Sequence, residues 1–251
     1  MTPIPAFQDN YLWLLDNGRQ AVVVDPGDAA PVLRHLEAND LILSAILVTH
    51  HHGDHIGGLS PLLKRFPVTV FGPAGEEISQ LTQRLVEGDS ITVPGLDIEF
   101  SVLDVPGHTS GHIAYVGHGM LFCGDTLFGC GCGRLFEGTA AQMTSSLAKL
   151  KALPGATRVY CAHEYTLANI RFAEAVEPGN QALMERKIND TRKREKGIPT
   201  LPSTVALECL TNPFLRWESP EVIASAEREA GKKLRAREDV FGTLREWKNH
   251  F

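Results

Sequence analysis

Cysteine is sparse in this chain and shows no pattern. Five cysteines stand at positions 123, 130, 132, 161 and 209, an odd number with no C-x-x-C pair. That argues against a disulfide framework and against a thiolate-held structural zinc. The one close pair, Cys130-Gly131-Cys132, reads as two small buried thiols in a glycine-rich loop. Long apolar runs are also missing, and none approaches the roughly 20 residues that span a bilayer. Met1-Thr2-Pro3-Ile4-Pro5-Ala6-Phe7 has neither the basic start nor the apolar core of an export signal, so a cytoplasmic protein without a membrane partner is expected. A basic excess is lacking too. Residues 1–165 carry 9 Lys+Arg against 17 Asp+Glu, a net −8, whereas residues 166–251 carry 15 against 13, a net +2. An acidic first part excludes a nucleic acid lying across it, because phosphate binding needs positive surface. The mildly basic remainder can still anchor a small anion.

What the chain does have is ordinary globular composition, 43% hydrophobic and 22% charged. Alternating apolar stretches on either side of Asp16-Asn17-Gly18 predict a hairpin over 11–25. Helical spacing follows at 30–39, a strand at 46–48, a helix from Ile56 to Phe66, and a strand at 68–71. Residues 75–83 read as a short helix or loop. Paired strands are expected at 90–93 and 96–105, then strands at 113–116 and 120–123, a helix over 140–152 and a last strand at 158–161. From Tyr165 onward the patterns are helical, at about 166–176, 180–196, 203–210, 220–230 and 237–249. The division expected is therefore a mixed α/β domain over 1–165 and a helical, substrate-binding domain over 166–251. Nothing in the sequence demands an obligate interface, and a monomer is expected.

The densest chemistry lies in Val48-Thr49-His50-His51-His52-Gly53-Asp54-His55-Ile56-Gly57-Gly58. Histidine and aspartate are poor core material unless something pairs them, so this clustering needs a chemical reason. Further candidates stand at the ends of predicted strands: His108, Asp125 and His163. Five imidazoles and two carboxylates are too many for one catalytic zinc, which takes three protein ligands, and suit two metals sharing a carboxylate. Imidazole and carboxylate without thiolate fit zinc, iron or manganese. His50 and His52, two apart in an extended segment, point the same way. Gly53 then breaks the run, so Asp54 and His55 can face a second ion.

The series T-H-x-H-x-D-H, with a later His, an Asp and a final His, resembles the metallo-β-lactamase superfamily. The resemblance implies an αββα sandwich with a dinuclear site at one edge. It assigns His50, His52 and His108 to one metal and Asp54, His55 and His163 to the other, with Asp125 bridging. Flanking segments narrow it. Pro106-Gly107-His108-Thr109-Ser110-Gly111-His112, Cys123-Gly124-Asp125-Thr126-Leu127-Phe128, Cys161-Ala162-His163-Glu164-Tyr165-Thr166 and Thr211-Asn212-Pro213-Phe214-Leu215-Arg216 look like the glyoxalase II, or hydroxyacylglutathione hydrolase, family. That family implies cleavage of a small-molecule glutathione thioester by a metal-bridging hydroxide, with Asp54 and Asp125 as catalytic carboxylates. Two divalent metals are implied, zinc first, with iron or manganese as alternatives. Glutathione would be held by Arg134, Phe136, Tyr165, Arg245 and Lys248. The position of Phe136 is often Tyr in the family, so a side-chain hydrogen bond is lost there.

Bland readings stand beside these. His51 alternates away from its neighbours and is expected to pack or support. His35 and His250 are expected to face solvent, and His112 is undecided. Asp25 is either a turn residue or an acceptor for a ligand's second N–H. Arg245 and Lys248, three apart on the last helix, would be a solvated face on sequence alone. Rival functions on the same scaffold are a lactonase, a β-lactamase and a glutathione persulfide dioxygenase.

Overall fold

A computed structural model describes residues 1–251. It forms two compact units, Met1–Asp104 with Thr109–Gly124, and Val105–His108 with Asp125–Phe251.

The first unit begins with a six-stranded sheet. Its strands are β1 (Thr2–Ala6), β2 (Asn10–Asp16), β3 (Gln20–Val24), β4 (Ile42–Leu47), β5 (Thr69–Pro73) and β6 (Gln83–Leu85), paired in that order. The first three run antiparallel, and β3 to β6 run parallel. Parallel neighbours need a crossover, and α1 (Ala29–Ala38) supplies it between β3 and β4. The Asp28 carboxylate starts that helix by accepting the Ala30 N–H. Val32 and Leu36 then enter a core with Leu14, Val23, Leu43 and Ile46. Each such fully buried side chain contributes roughly 1.5–3 kcal/mol.

β1 was not foreseen. Pro3 and Pro5 argue against a strand, but β1 lies at the sheet edge, where a missing N–H is tolerated. The expected helix at 56–66 is two pieces, α2 (Gly53–Ile56) and α3 (Leu59–Arg65), interrupted at Gly57-Gly58. A Cβ at Gly57 would lie 2.6 Å from the Gly27 carbonyl, so close approach of the Asp25–Asp28 turn requires glycine there. No helix forms over 75–83, where a loop leads into the short β6.

The unit also holds an antiparallel run of β7 (Ser90–Val93), β8 (Ile98–Asp104), β9 (Ile113–Gly117) and β10 (Met120–Gly124). His118 and Gly119, both at positive φ, make the two-residue turn between β9 and β10. From β9, the Tyr115 hydroxyl donates to the Val48 carbonyl at 2.9 Å, and the Ile113 N–H to Thr49 O at 3.0 Å. These bonds fix where the chain leaves β4 and enters the histidine-rich segment.

The second unit contains a small hairpin, β11 (Leu127–Phe128) and β12 (Gly131–Cys132), and the helix α4 (Ala140–Lys151), opened by a Thr139/Gln142 capping box. β13 (Arg158–Cys161) pairs with β14 (Ser203–Thr204). The strand at 158–161 is therefore not the last, and two residues inside the helical region return to a ladder. The remaining helices are α5 (Thr166–Val176), α6 (Gln181–Glu195), α7 (Val205–Thr211), α8 (Pro220–Ala230) and α9 (Arg237–His250), with one 3₁₀ turn at Pro213–Leu215. Phe172 of α5 anchors them, its ring 5.8 Å from Phe214, 5.2 Å from Trp247 and 5.4 Å from Phe251.

Candidate metal centre

In the first unit the segment after β4 brings four side chains together. His50 Nε2 lies 3.1 Å from His52 Nδ1, and the His50 ring is centred 4.0 Å from that of His55. Asp54 Oδ2 is 3.5 Å from His55 Nε2. His50 and His55 are fully buried, whereas the Asp54 side chain is 40% exposed and so reachable by a ligand.

The supports come from elsewhere in the same unit. Asp25, buried at a positive φ, accepts the Thr49 N–H at Oδ1 and the Thr49 hydroxyl at Oδ2, both at 2.7 Å. Its Oδ2 is also 3.1 Å from His55 Nδ1. The Thr49 proton is thereby committed to Asp25, so toward His50 Nδ1, 3.1 Å away, Thr49 Oγ1 acts as acceptor. Nδ1 of His50 then carries the ring proton, and Nε2 presents a lone pair. Asn10 donates to Asp54 Oδ2 at 3.0 Å. His112 is buried and stacks on His50 at 4.5 Å, its Nδ1 donating to Ile113 O. His51 turns away to Glu76 at 2.9 Å, and Glu76 also accepts from the Thr109 hydroxyl.

In the second unit one carboxylate oxygen serves two rings. Asp125 Oδ2 is 3.4 Å from His108 Nε2 and 3.4 Å from His163 Nε2. Nδ1 of His108 is 2.9 Å from the Arg134 carbonyl, which can only accept, so that nitrogen holds the proton. In the neutral ring Nε2 then offers its lone pair on the side of the Asp125 carboxylate oxygen, and a shared divalent ion would take both as ligands. The donor set thus fits the metal chemistry implied by the sequence. Within the first unit, ligand atoms of His50 and His52, of His50 and His55, and of Asp54 and His55 also lie within 4.8 Å of one another.

The other candidates sit in the second unit as well. The Tyr165 ring stacks on His163 at 4.8 Å with planes 3° apart, and Phe128 meets both rings edge-on. Phe136 is 64% exposed and meets the His108 ring edge-on at 5.2 Å. The Arg134 side chain is exposed. Arg245 is not on a solvated face. It is buried, its Nη1 donating to Cys132 O at 2.9 Å, with its guanidinium 5.2 Å from the Phe214 ring centroid. Lys248 lies over Phe172 at 5.2 Å. Burial, then the charge of Arg245, and more weakly that of Arg134, lower its pKa to about 8. Lys248 therefore lies within electrostatic reach of both Arg245 and Arg134.

Residues 7–163 match the Metallo-beta-lactamase superfamily and residues 164–251 match Hydroxyacylglutathione hydrolase C-terminus. A hydroxyacylglutathione hydrolase from Nitrosomonas europaea is 55% identical over 249 residues, 99% of this chain and 95% of the relative. One from Aeromonas hydrophila is 54% identical over 250 residues, 99% of this chain and 98% of the relative. The chain belongs to the hydroxyacylglutathione hydrolase family.

Solved structures place the family on its superfamily scaffold. ETHE1 from Myxococcus xanthus covers 95% of this chain and 85% of its own at 29% identity and a TM-score of 0.65. TTHA1623 in a di-iron-bound form covers 86% of this chain and all of its own (100%) at 26% identity and a TM-score of 0.61. A hydroxyacylglutathione hydrolase is a hydrolase of the metallo-β-lactamase superfamily, and a His/Asp cluster able to bind a divalent metal accords with that membership. No helix is long and apolar enough to cross a membrane. The supports given by Asn10, Glu76 and the Arg134 carbonyl had no sequence signal, because each acts on residues 25 or more positions away. His112 carried one, its four-residue spacing from His108, but its partner is His50.

Proposed function

We propose that this chain hydrolyses the thioester of an S-(2-hydroxyacyl)glutathione, S-D-lactoylglutathione being the test substrate, to glutathione and a 2-hydroxy acid such as D-lactate, the second step of methylglyoxal detoxification. The observation that carries this reading is the second unit's pairing of a shared carboxylate, Asp125, with a cation group of Arg134, Arg245 and Lys248. Glutathione offers two carboxylates to such a group, and arginine grips a carboxylate through its planar fork. The curated relatives, matched over nearly their whole length, carry the name of that activity.

His50, His52 and His108 would hold one divalent ion, Asp54, His55 and His163 a second, and Asp125 would ligate both. Zinc suits these donors best, with iron and manganese as the alternatives. Bound there, the metals supply Lewis acidity that makes water a nucleophile near neutral pH and draws charge from the thioester carbonyl.

The chain's own residues do the rest. Asp54, reachable from solvent and with Oδ2 engaged by Asn10, orients the attacking water through its other oxygen. The water oxygen bonds to the carbonyl carbon, its protons pass to solvent as the acid forms its carboxylate, the C–S bond breaks, and the sulfur leaves as a thiolate that takes up a solvent proton. A thiolate is a good leaving group, so no strong general acid is needed. Tyr165 and Phe136, ringed against His163 and His108, form apolar walls for the thioester, while the cations fix the peptide part and hold the acyl carbon in place. Residues 1–165 would act as the metal domain and 166–251 as the substrate-binding domain of a cytoplasmic monomer. The dioxygenase and lactonase readings are not favoured, because the curated relatives at 54–55% identity are hydroxyacylglutathione hydrolases. Turnover of S-D-lactoylglutathione, with metal content determined on the same sample, tests the proposal, and metal-loaded protein that leaves the thioester intact would refute it.

A further inference from the structure

The segment between Asp125 and Arg134 has an unusual support. At its base, Asp125 contacts two imidazoles and the Arg134 carbonyl accepts a hydrogen bond from His108 Nδ1. Gly133 is packed so tightly there that a Cβ would fall 1.9 Å from the Asp125 carbonyl. The β11–β12 hairpin lies between those two residues. Its tip is gripped by a carboxylate far along the chain. The Cys130 N–H donates to Glu208 Oε2 at 2.7 Å. Asn212 bridges the same oxygen, at 3.1 Å, to the carbonyls of Phe128 at 3.3 Å and Gly131 at 2.9 Å.

Glu208 is fully buried and is held in turn by Arg186, whose Nη2 donates to Oε1 at 2.7 Å. Arg186 is buried too and spreads its remaining donors over Asp190 and Thr211. Burial opposes the Arg186 charge, but Glu208, Cys130 and Asp190 hold its pKa above the usual arginine value. Two buried charges cost desolvation energy that a well-packed apolar pair would not, so their retention needs a reason. The mechanism uses neither residue.

We propose that Glu208, fixed by Arg186, is a positioning residue for the metal centre: it pins the hairpin tip and thereby sets Asp125 and the Arg134 carbonyl that orients His108. The inference rests on the metal-dependent reading above. Its consequence is that helices remote from the ligands tune metal affinity, and not only glutathione binding.

The test is chelator competition for zinc on the full chain. Glu208→Gln keeps the size and one acceptor oxygen but withdraws the charge from Arg186. Zinc binding is expected to weaken 10- to 100-fold, the range for loss of a residue that supports metal ligands. Val222→Ala, which opens a cavity at a buried position of α8, is the control for lost stability and should stay within twofold of the parent. A folded Glu208→Gln within twofold of the parent overturns the proposal, as does Val222→Ala weakening zinc equally. If Glu208→Gln does not fold, Arg186→Lys is measured by the same criterion. A parent chain that binds no zinc overturns both this inference and the proposed function. A parent that binds zinc but leaves the thioester intact overturns only the substrate assignment.

Discussion

The carbonyl oxygen of Arg134 accepts a hydrogen bond from Nδ1 of His108 at 2.9 Å. The backbone of Arg134 thus orients a proposed ligand, while its exposed side chain is the one proposed to bind substrate. The two are separable by mutation. Arg134→Ala keeps the carbonyl, so metal stoichiometry should stay at the parent level. KM for the thioester should rise about 10-fold, the scale of one lost charge-assisted hydrogen bond. Steady-state kinetics and metal analysis on one preparation check both.

Asp25 predicts the opposite pattern. It accepts two hydrogen bonds from Thr49 and lies against His55. In Asp25→Ala the buried Thr49 N–H loses its acceptor at a cost of about 1–3 kcal/mol, and the His50 and His55 rings lose their anchor. A lower thermal midpoint and a 10- to 100-fold loss of metal affinity are expected, with KM nearly unchanged at saturating metal.

Lys248 gives a pH dependence. Its pKa is lowered to about 8, first by burial and then by Arg245. The charged form binds a carboxylate, so substrate binding is present below that value and is lost as pH rises through it. Between about 8 and the ordinary lysine value the unfolded chain binds more protons, so this residue's contribution to stability rises with pH across that window. KM should climb above pH 8 in the parent. In Lys248→Arg, which stays charged, it should remain flat; an equal climb in both would remove Lys248 from the site.

Tyr165 stacks on His163 with planes 3° apart. Tyr165→Phe keeps the ring and should leave metal binding within twofold, whereas Tyr165→Ala strips one face of the proposed ligand His163 and should weaken it several-fold. Chelator competition across the three chains decides.

Much of this was legible in the sequence because local spacing carried it. The two-residue step from His50 to His52 and the Gly53 break preceded any fold, and strands ending at Val105, Cys123 and Cys161 pointed to His108, Asp125 and His163. Two-residue ladders such as Leu127–Phe128 and Ser203–Thr204 were not legible, since a period needs more than two residues. Nor was the burial of Arg245, which looks like a solvated helix residue until Cys132 and Phe214 close over it. Glu208 had no signal for this role, because Arg186 and Cys130, which tie it to the hairpin, lie 22 and 78 positions away.

The most direct test joins chemistry to metal in one sample. The metal-loaded chain should hydrolyse S-D-lactoylglutathione and release free thiol, and Asp125→Ala should lose both turnover and stoichiometric metal together. Undiminished turnover in metal-depleted Asp125→Ala, or none in the metal-loaded parent, would contradict a metal-dependent thioester hydrolase.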